Sequence, residues 1–145
     1  MPPPPSTADC ASCLCLASRR AARGITRIFD RHLRPHGLRA TQFSVIATLA
    51  LRGRSPVAEL AEALGVERTT LTRSVALLEA QGWVRVSPSA DARERPLEIT
   101  AAGRRRLDAA LPAWAAAQEE ARTLLGPAAT AGLKRIAERW NHPGA

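Results

Sequence analysis

PVAELAEALGVERTTLTRSVALLEAQGWVRVSPSADARERPLEIT, residues 56–100, decides how this chain folds. The spacing predicts a short helix over residues 56–64, with Ser55 as N-cap and Pro56 at the first helical position, where its missing N–H costs nothing. Val57, Leu60, Ala61 and Leu64 fall at i, i+3, i+4 and i+7 and form one buried stripe. Gly65 then supplies the left-handed residue that a sharp turn needs. A second helix is predicted over 67–81, burying Leu71, Val75 and Leu78 and leaving Arg68, Thr69, Thr72, Arg73 and Ala76 outward. Such a face suits a major groove. Arginine pairs bidentately with guanine, threonine reaches base edges or phosphates, and alanine permits close approach. The pair is a helix-turn-helix with its recognition helix.

Gly82 closes that helix, and residues 83–86 (Trp-Val-Arg-Val) alternate as a half-buried strand does. Residues 97–99 (Leu-Glu-Ile) alternate likewise and are its expected partner. The Ser/Pro/Asp/Arg loop between them, residues 87–96, is too long for a tight hairpin and carries Arg93 and Arg95. A hairpin with a basic tip after a recognition helix is a wing. Arginine at such a tip suits the narrow, electronegative minor groove.

These residues closely resemble the winged-helix core of the MarR family of bacterial transcriptional regulators. The resemblance rests on Leu78, Glu79 and Gly82 to Arg85 (L-E-x-x-G-W-V-R), on Asp91 and Arg93 (D-x-R), and on Leu97, Thr100 and Gly103 (L-x-x-T-x-x-G). It extends upstream through Thr41-Gln42-Phe43 and covers residues 14–140. It implies a mainly α fold: a winged helix-turn-helix with a two-stranded β-wing, and a helical dimerisation region. The expected division is a Pro-rich tail over 1–8 and a single domain over 9–145. Within that domain, residues 41–100 form the winged helix, and 9–36 and 101–141 form the dimerisation helices. The family reading implies a homodimer on a pseudo-palindromic double-stranded DNA operator, most simply a repressor released by a signal. The DNA contacts it implies are Arg68, Thr69, Thr70, Thr72, Arg73, Arg93 and Arg95, with Asp91 orienting the wing arginines.

Composition agrees. At 145 residues the chain is expected to be one domain. Aromatics are 3% and tyrosine is absent, so the 46% of hydrophobic residues are mostly Ala, Leu, Val and Ile, which favours packed helices. Lys and Arg number 21 against 13 Asp and Glu, a net charge of +8 that favours a polyanionic partner. No apolar run reaches the length of a bilayer span, and no signal-peptide pattern opens the chain, so a cytoplasmic protein without membrane contact is expected.

Outside the winged core, Asp9 is the expected cap of a helix over 10–33. Its apolar side carries Leu14, Ala17, Ala21, Ile25, Ile28, Phe29 and Leu33, and Arg19, Arg20, Arg23, Arg27 and Arg31 take much of the rest. Pro35 stops it. Thr41 is the expected cap of a helix over 41–51 burying Phe43, Ile46, Ala47, Leu49 and Ala50. Thr100 is the expected cap of a long helix reaching 125, in which Pro112 removes a backbone donor and should kink or divide it. Gly126-Pro127 is a stop, and residues 128–140 form a last helix presenting Leu133, Ile136, Ala137 and Trp140.

Three cysteines, Cys10, Cys13 and Cys15, sit in C-A-S-C-L-C. They read as small side chains on the first helix or as redox candidates. By the family resemblance, Cys15 falls where the organic-hydroperoxide-sensing branch has its peroxide-reactive thiol, although this chain lacks the tyrosines that surround that thiol there. A metal reading of the cysteines with His32 and His36 is weak, because no second paired motif is present and His36 lies beyond Pro35; His142 has no evident partner. No cofactor is implied. A small-molecule effector site is the family's usual switch, and here Trp114 and the Arg-rich first helix are its expected lining. There is no phosphate loop, no gathered Ser/His/Asp set and no H-E-x-x-H, so no enzyme is read. The rival readings are a metal- or thiol-responsive regulator, a winged-helix protein-interaction module, and a non-specific architectural DNA binder.

Overall fold

The computed structural model describes residues 1, 3–88 and 93–140. Near the start of the chain, the Ser6 backbone N–H and hydroxyl both donate to Asp9 Oδ2, at 2.7 and 3.0 Å. Asp9 is therefore the third residue of a capping box, not the N-cap, and the turn it closes is a 3-10 segment, Thr7–Ser12. The first α-helix, α1, spans Leu14–Leu33 and starts four residues later than the sequence predicts. A second 3-10 turn, Arg34–His36, leads into α2, Ala40–Arg52. Here too the cap differs. Arg39 holds the cap position, its N–H donating to Gln42 Oε1 at 2.9 Å, and Asp30 of α1 accepts from Ala40 N–H at 2.7 Å. Thr41 thus sits inside the first turn.

The helix-turn-helix follows as α3, Val57–Leu64, and α4, Arg68–Ala80. Strands β1, Val84–Val86, and β2, Leu97–Ile99, pair antiparallel with Val84 opposite Ile99 and Val86 opposite Leu97. Ser55 does not cap α3. It is buried and bridges β2, its N–H donating to the Leu97 carbonyl at 2.9 Å and its carbonyl accepting from Leu97 N–H at 2.8 Å. Pairing the linker to the wing satisfies both backbone groups of Ser55, and Pro56, expected at the first helical position, takes the N-cap instead.

The last element, α5, runs over Ala101–Trp140 and is broken at Gly126, whose φ of 74° and ψ of 168° are non-helical. Pro112 lies inside the first limb without dividing it. A proline removes one donor, and the exposed Asp108 one turn back can give its freed carbonyl to water. The break falls instead where a glycine can take a positive φ and Pro127 can open a new turn.

One core serves the winged half. Leu33, Val45, Ile46, Leu49, Leu60, Leu71, Leu78, Val84 and Leu97 are fully buried, each leucine contributing about 1.5–3 kcal/mol of hydrophobic stabilisation. A smaller cluster of Ile28, Ala117 and Ala121 joins α1 to α5. Both flanks differ from that pattern. On α1, Leu14, Ala17 and Ala21 are exposed, and beyond Ala121 the large apolar side chains Leu124, Leu133, Ile136 and Trp140 face outward. Among the described residues no helix is long and apolar enough to cross a membrane.

Candidate nucleic-acid interface

The turn between α3 and α4 is closed by Gly65, at φ 62°, with its N–H on the Glu62 carbonyl and Val66 N–H on the Ala61 carbonyl, both at 3.1 Å. This fixes the angle at which α4 leaves. Leu71, Val75 and Leu78 bury one stripe of α4 against α2, α3 and β1. Arg68, Thr69, Thr70, Thr72, Arg73, Ala76 and Leu77 are exposed. At about 100° per residue, Thr69, Arg73 and Ala76 lie opposite the buried stripe, whereas Arg68 and Thr72 flank it. Thr72 Oγ1 donates to the Arg68 carbonyl at 2.8 Å, so its proton is used within the helix and its oxygen is left to accept. Glu67, at the N-cap, makes no side-chain capping bond, in keeping with the poor capping ability of glutamate.

The far end of α4 is held against α5. Trp83 N–H donates to the Leu78 carbonyl at 3.0 Å, and Thr100 Oγ1 donates to the Gly82 carbonyl at 2.6 Å while accepting from Gly103 N–H at 3.0 Å. Thr100 is thus the cap of α5 and a tie to α4 at once. Gly103 is required for a second reason: a Cβ there would lie 2.1 Å from the Trp83 carbonyl oxygen. The guanidinium of Arg106 sits over the Trp83 ring, 4.9 Å from its centroid, and donates to the His36 carbonyl at 3.3 Å. The bonds made by Arg106 and Ser55 join residues far apart in sequence and leave no local signal.

On the wing, Arg85 Nε donates to Glu98 Oε1 at 2.6 Å across the strand pair. That hydrogen bond, with the charges of Arg85 and Arg54, holds the Glu98 carboxyl below the usual glutamate range. Arg93 and Arg95 are both exposed on the descending side. Arg95 has φ 37°, a left-handed conformation unusual for arginine, and backbone strain of this kind clusters at functional loops. Asp91 lies outside the described residues.

The remaining sequence candidates sit elsewhere. Cys10 lies in the first 3-10 turn, Cys13 at the N-cap of α1 and Cys15 in its first turn; all three are exposed free thiols. Cys13 N–H donates to the Cys10 carbonyl at 3.2 Å, so these two follow at the three-residue repeat of a 3-10 turn and share one side. His32 Nε2 is 2.7 Å from Glu120 Oε2, and Arg31 pairs with the same carboxylate. His32 is therefore engaged with α5, and among the described residues no group of three or more His, Cys, Asp and Glu is gathered.

Trp114 stacks on Phe43 with centroids 6.2 Å apart and planes 11° apart. Both line a cavity of about 490 Å³ between α2 and α5, together with Ala47, Leu64, Arg104 and Leu107. Arg104 supplies a cationic group there and Asp108 an acidic one; the arginines of α1, expected to line the effector site, do not line it, and Arg31 is paired with Glu120 of α5 instead.

A family model described as the MarR family matches residues 36–94. The transcriptional regulator MosR of M. tuberculosis is similar in sequence and in fold. One crystal structure of it gives 39% identity and a TM-score of 0.73, covering 88% of this chain and 96% of that one. A second, in complex with DNA, gives 42% identity and 0.71, covering 88% and 97%. The uncharacterized HTH-type transcriptional regulator YwoH of Bacillus subtilis is 35% identical over 81 residues, 56% of this chain and 59% of that protein. The HTH-type transcriptional repressor NicR of Pseudomonas putida is 34% identical over 95 residues, 65% and 60% respectively. The match thus spans about three fifths of the length of these two relatives.

Proposed function

This chain belongs to the MarR family of transcriptional regulators, and from that premise we propose that it is a sequence-specific DNA-binding regulator, a homodimeric repressor released by a signal. The observation that carries the reading is the outward stripe of α4, where Thr69, Arg73 and Ala76 stand opposite the buried leucines with no acid among them. Arg93 and Arg95 on the wing extend that surface toward a neighbouring minor groove. Arg73 serves as the base-reading residue, and Arg68, Thr69, Thr70 and Thr72 position the helix through phosphates or base edges. In MosR, similar in sequence over nearly its whole length, a complex with DNA is known. The exposed apolar residues of α1 and of the last limb of α5 are the natural seam between two copies, because burying them needs a second surface of the same character.

Arg73→Ala tests this directly. Without the bidentate pairing to a base, specific binding weakens by about 1–3 kcal/mol and selectivity relaxes at that base pair. Unchanged sequence preference contradicts the assignment.

For the releasing signal, the cavity between α2 and α5 suits a largely apolar aromatic ligand, its ring against Phe43 and Trp114 and its polar group between the opposite charges of Arg104 and Asp108. The exposure of Cys10, Cys13 and Cys15 favours a second route. The Cys15 thiolate attacks the O–O bond of a hydroperoxide, giving a sulfenic acid and releasing the alcohol. A second thiol then displaces hydroxide from the sulfenic sulfur and forms a disulfide, the hydroxide leaving as water. In that case Cys15→Ser binds DNA as the wild type does and ignores peroxide, while wild-type binding is abolished by peroxide and restored by thiol. Binding indifferent to peroxide in both proteins points to the cavity, and equal loss in both points to Cys10 or Cys13.

A further inference from the structure

The face of α1 turned away from the core carries Arg19, Arg23, Arg27 and Arg31 at four-residue intervals, with Arg20 alongside. On a helix with about 100° and 1.5 Å per residue, these five lie within about 120° of one another and repeat every ~6 Å along the axis. They stand opposite the sector that buries Ile28 and Leu33, and all are exposed. Asp30 is the lone acid within α1, and its carboxylate is occupied by Ala40 N–H at 2.7 Å. Arg31 is met by Glu120. Among the described residues, Arg19, Arg20, Arg23 and Arg27 have no acidic partner.

A solvated helix face normally mixes both signs, since like charges at i and i+4 destabilise the helix that carries them. A row of one sign, maintained over three turns, calls for an anion from outside. A second copy of this chain is a poor source, because each copy carries a net charge of +8 and its long α5 holds more Arg and Lys than Asp and Glu. An even axial repeat on a rigid helix fits a partner whose charges are themselves evenly spaced. Arginine adds forked donors that match phosphate geometry.

We propose that the arginine face of α1 is a second nucleic-acid surface, gripping the phosphate backbone of duplex DNA that lies beyond the operator. The proposal rests on the DNA-binding reading of α4 and the wing but uses none of their residues. α1 packs chiefly on α5 and α2 and belongs to neither the helix-turn-helix nor the wing, so its arginines are separate from the residues that read bases. Pairing of two copies along the apolar side of α1 leaves the arginine face open.

The test uses the full-length protein and a combined Arg19→Gln, Arg23→Gln and Arg27→Gln variant, with circular dichroism to confirm equal helicity. Binding is followed against salt concentration on a short duplex spanning only the selected operator and on a long one carrying it centrally. The wild type is expected to show the steeper slope of log K against log salt on the long duplex. The variant's slope there is shallower by about 0.9 for each phosphate it no longer neutralises. On the short duplex the variant matches the wild type, and it keeps the same sequence preference. Equal slopes for both proteins on the long duplex overturn the proposal. Loss of polyglutamate binding with DNA slopes unchanged also overturns it, in favour of an acidic protein partner. Failure of the wild type to bind either duplex is a different result: it removes the DNA reading itself, and this inference with it.

Discussion

The winged half and the long-helix half of this molecule treat apolar surface in opposite ways. Between α2 and β2, large side chains such as Ile46, Leu49, Leu71 and Leu97 are at 0–2% exposure, and the polar backbone of the linker is paired to the wing. In the outer part of α1 and beyond Gly126, Leu14 is 85% exposed and Trp140 84%. The first half buries most of its large apolar side chains within the single chain, Leu51 and Leu77 excepted. The second half buries Ile28, Leu33, Ala117 and Ala121 but leaves Leu14, Leu124, Leu133, Ile136 and Trp140 uncovered by its own chain. Reading DNA demands a rigid presenter for α4, which the first half supplies; on the proposed dimeric reading, the second half supplies the surface for a partner.

The contrast predicts where substitutions act. Leu49→Ala in the closed half should cost about 2–5 kcal/mol, from reduced burial and the cavity left behind. Denaturant unfolding at fixed protein concentration reads it as a lowered midpoint with an unchanged slope. A cost below ~1 kcal/mol would mean that the winged core is looser than its burial implies. Ile136→Asp, in the open half, should leave the fold of each chain within about 0.5 kcal/mol while shifting sedimentation from dimer toward monomer. If it unfolds the chain, or leaves assembly untouched, the division between the halves is misplaced.

The smallest effect lies within the long-helix half, where α1 meets α5. The hydrogen bonds and charges of Arg31 and His32 lower the Glu120 carboxyl below its ordinary range. A depressed carboxylate stabilises the native state above its unfolded pKa, and that contribution is lost as pH falls through the lower native value. Thermal unfolding followed from neutral into acid pH should therefore show a slightly steeper decline in the wild type than in Glu120→Gln. Parallel curves would show that the Arg31–Glu120–His32 contact does not couple α1 to α5.

What is legible in the sequence follows the same division. The helix-turn-helix and both strands are written in local signals, namely the leucine spacing, Gly65 and the alternation on either side of the wing loop, and the structure has them within a residue or two. Thr100 is readable as a cap for the same reason. Ser55 misleads because its partner, Leu97, is far along the chain, and a serine before a proline looks like a cap until the wing claims it. Asp9 misleads although Ser6-x-x-Asp9 is a visible capping-box pattern, because an acid directly before a helical pattern satisfies the cap rule by itself. At Pro112 the rule that prolines bend helices competes with the glycine at 126, whose positive φ makes the actual break. The α1–α5 contacts depend on alanines, which pack closely without announcing which face they use.

The most direct measurement is selection of bound sequences from a random duplex pool by the purified protein. A dimer presenting two α4 helices should enrich an inverted repeat whose half-sites are centred about 10–10.5 base pairs apart, roughly 34–36 Å along the duplex. Enrichment of an unrepeated site would contradict the paired arrangement, and recovery of no preferred sequence would contradict the reading of α4 as the element that recognises DNA.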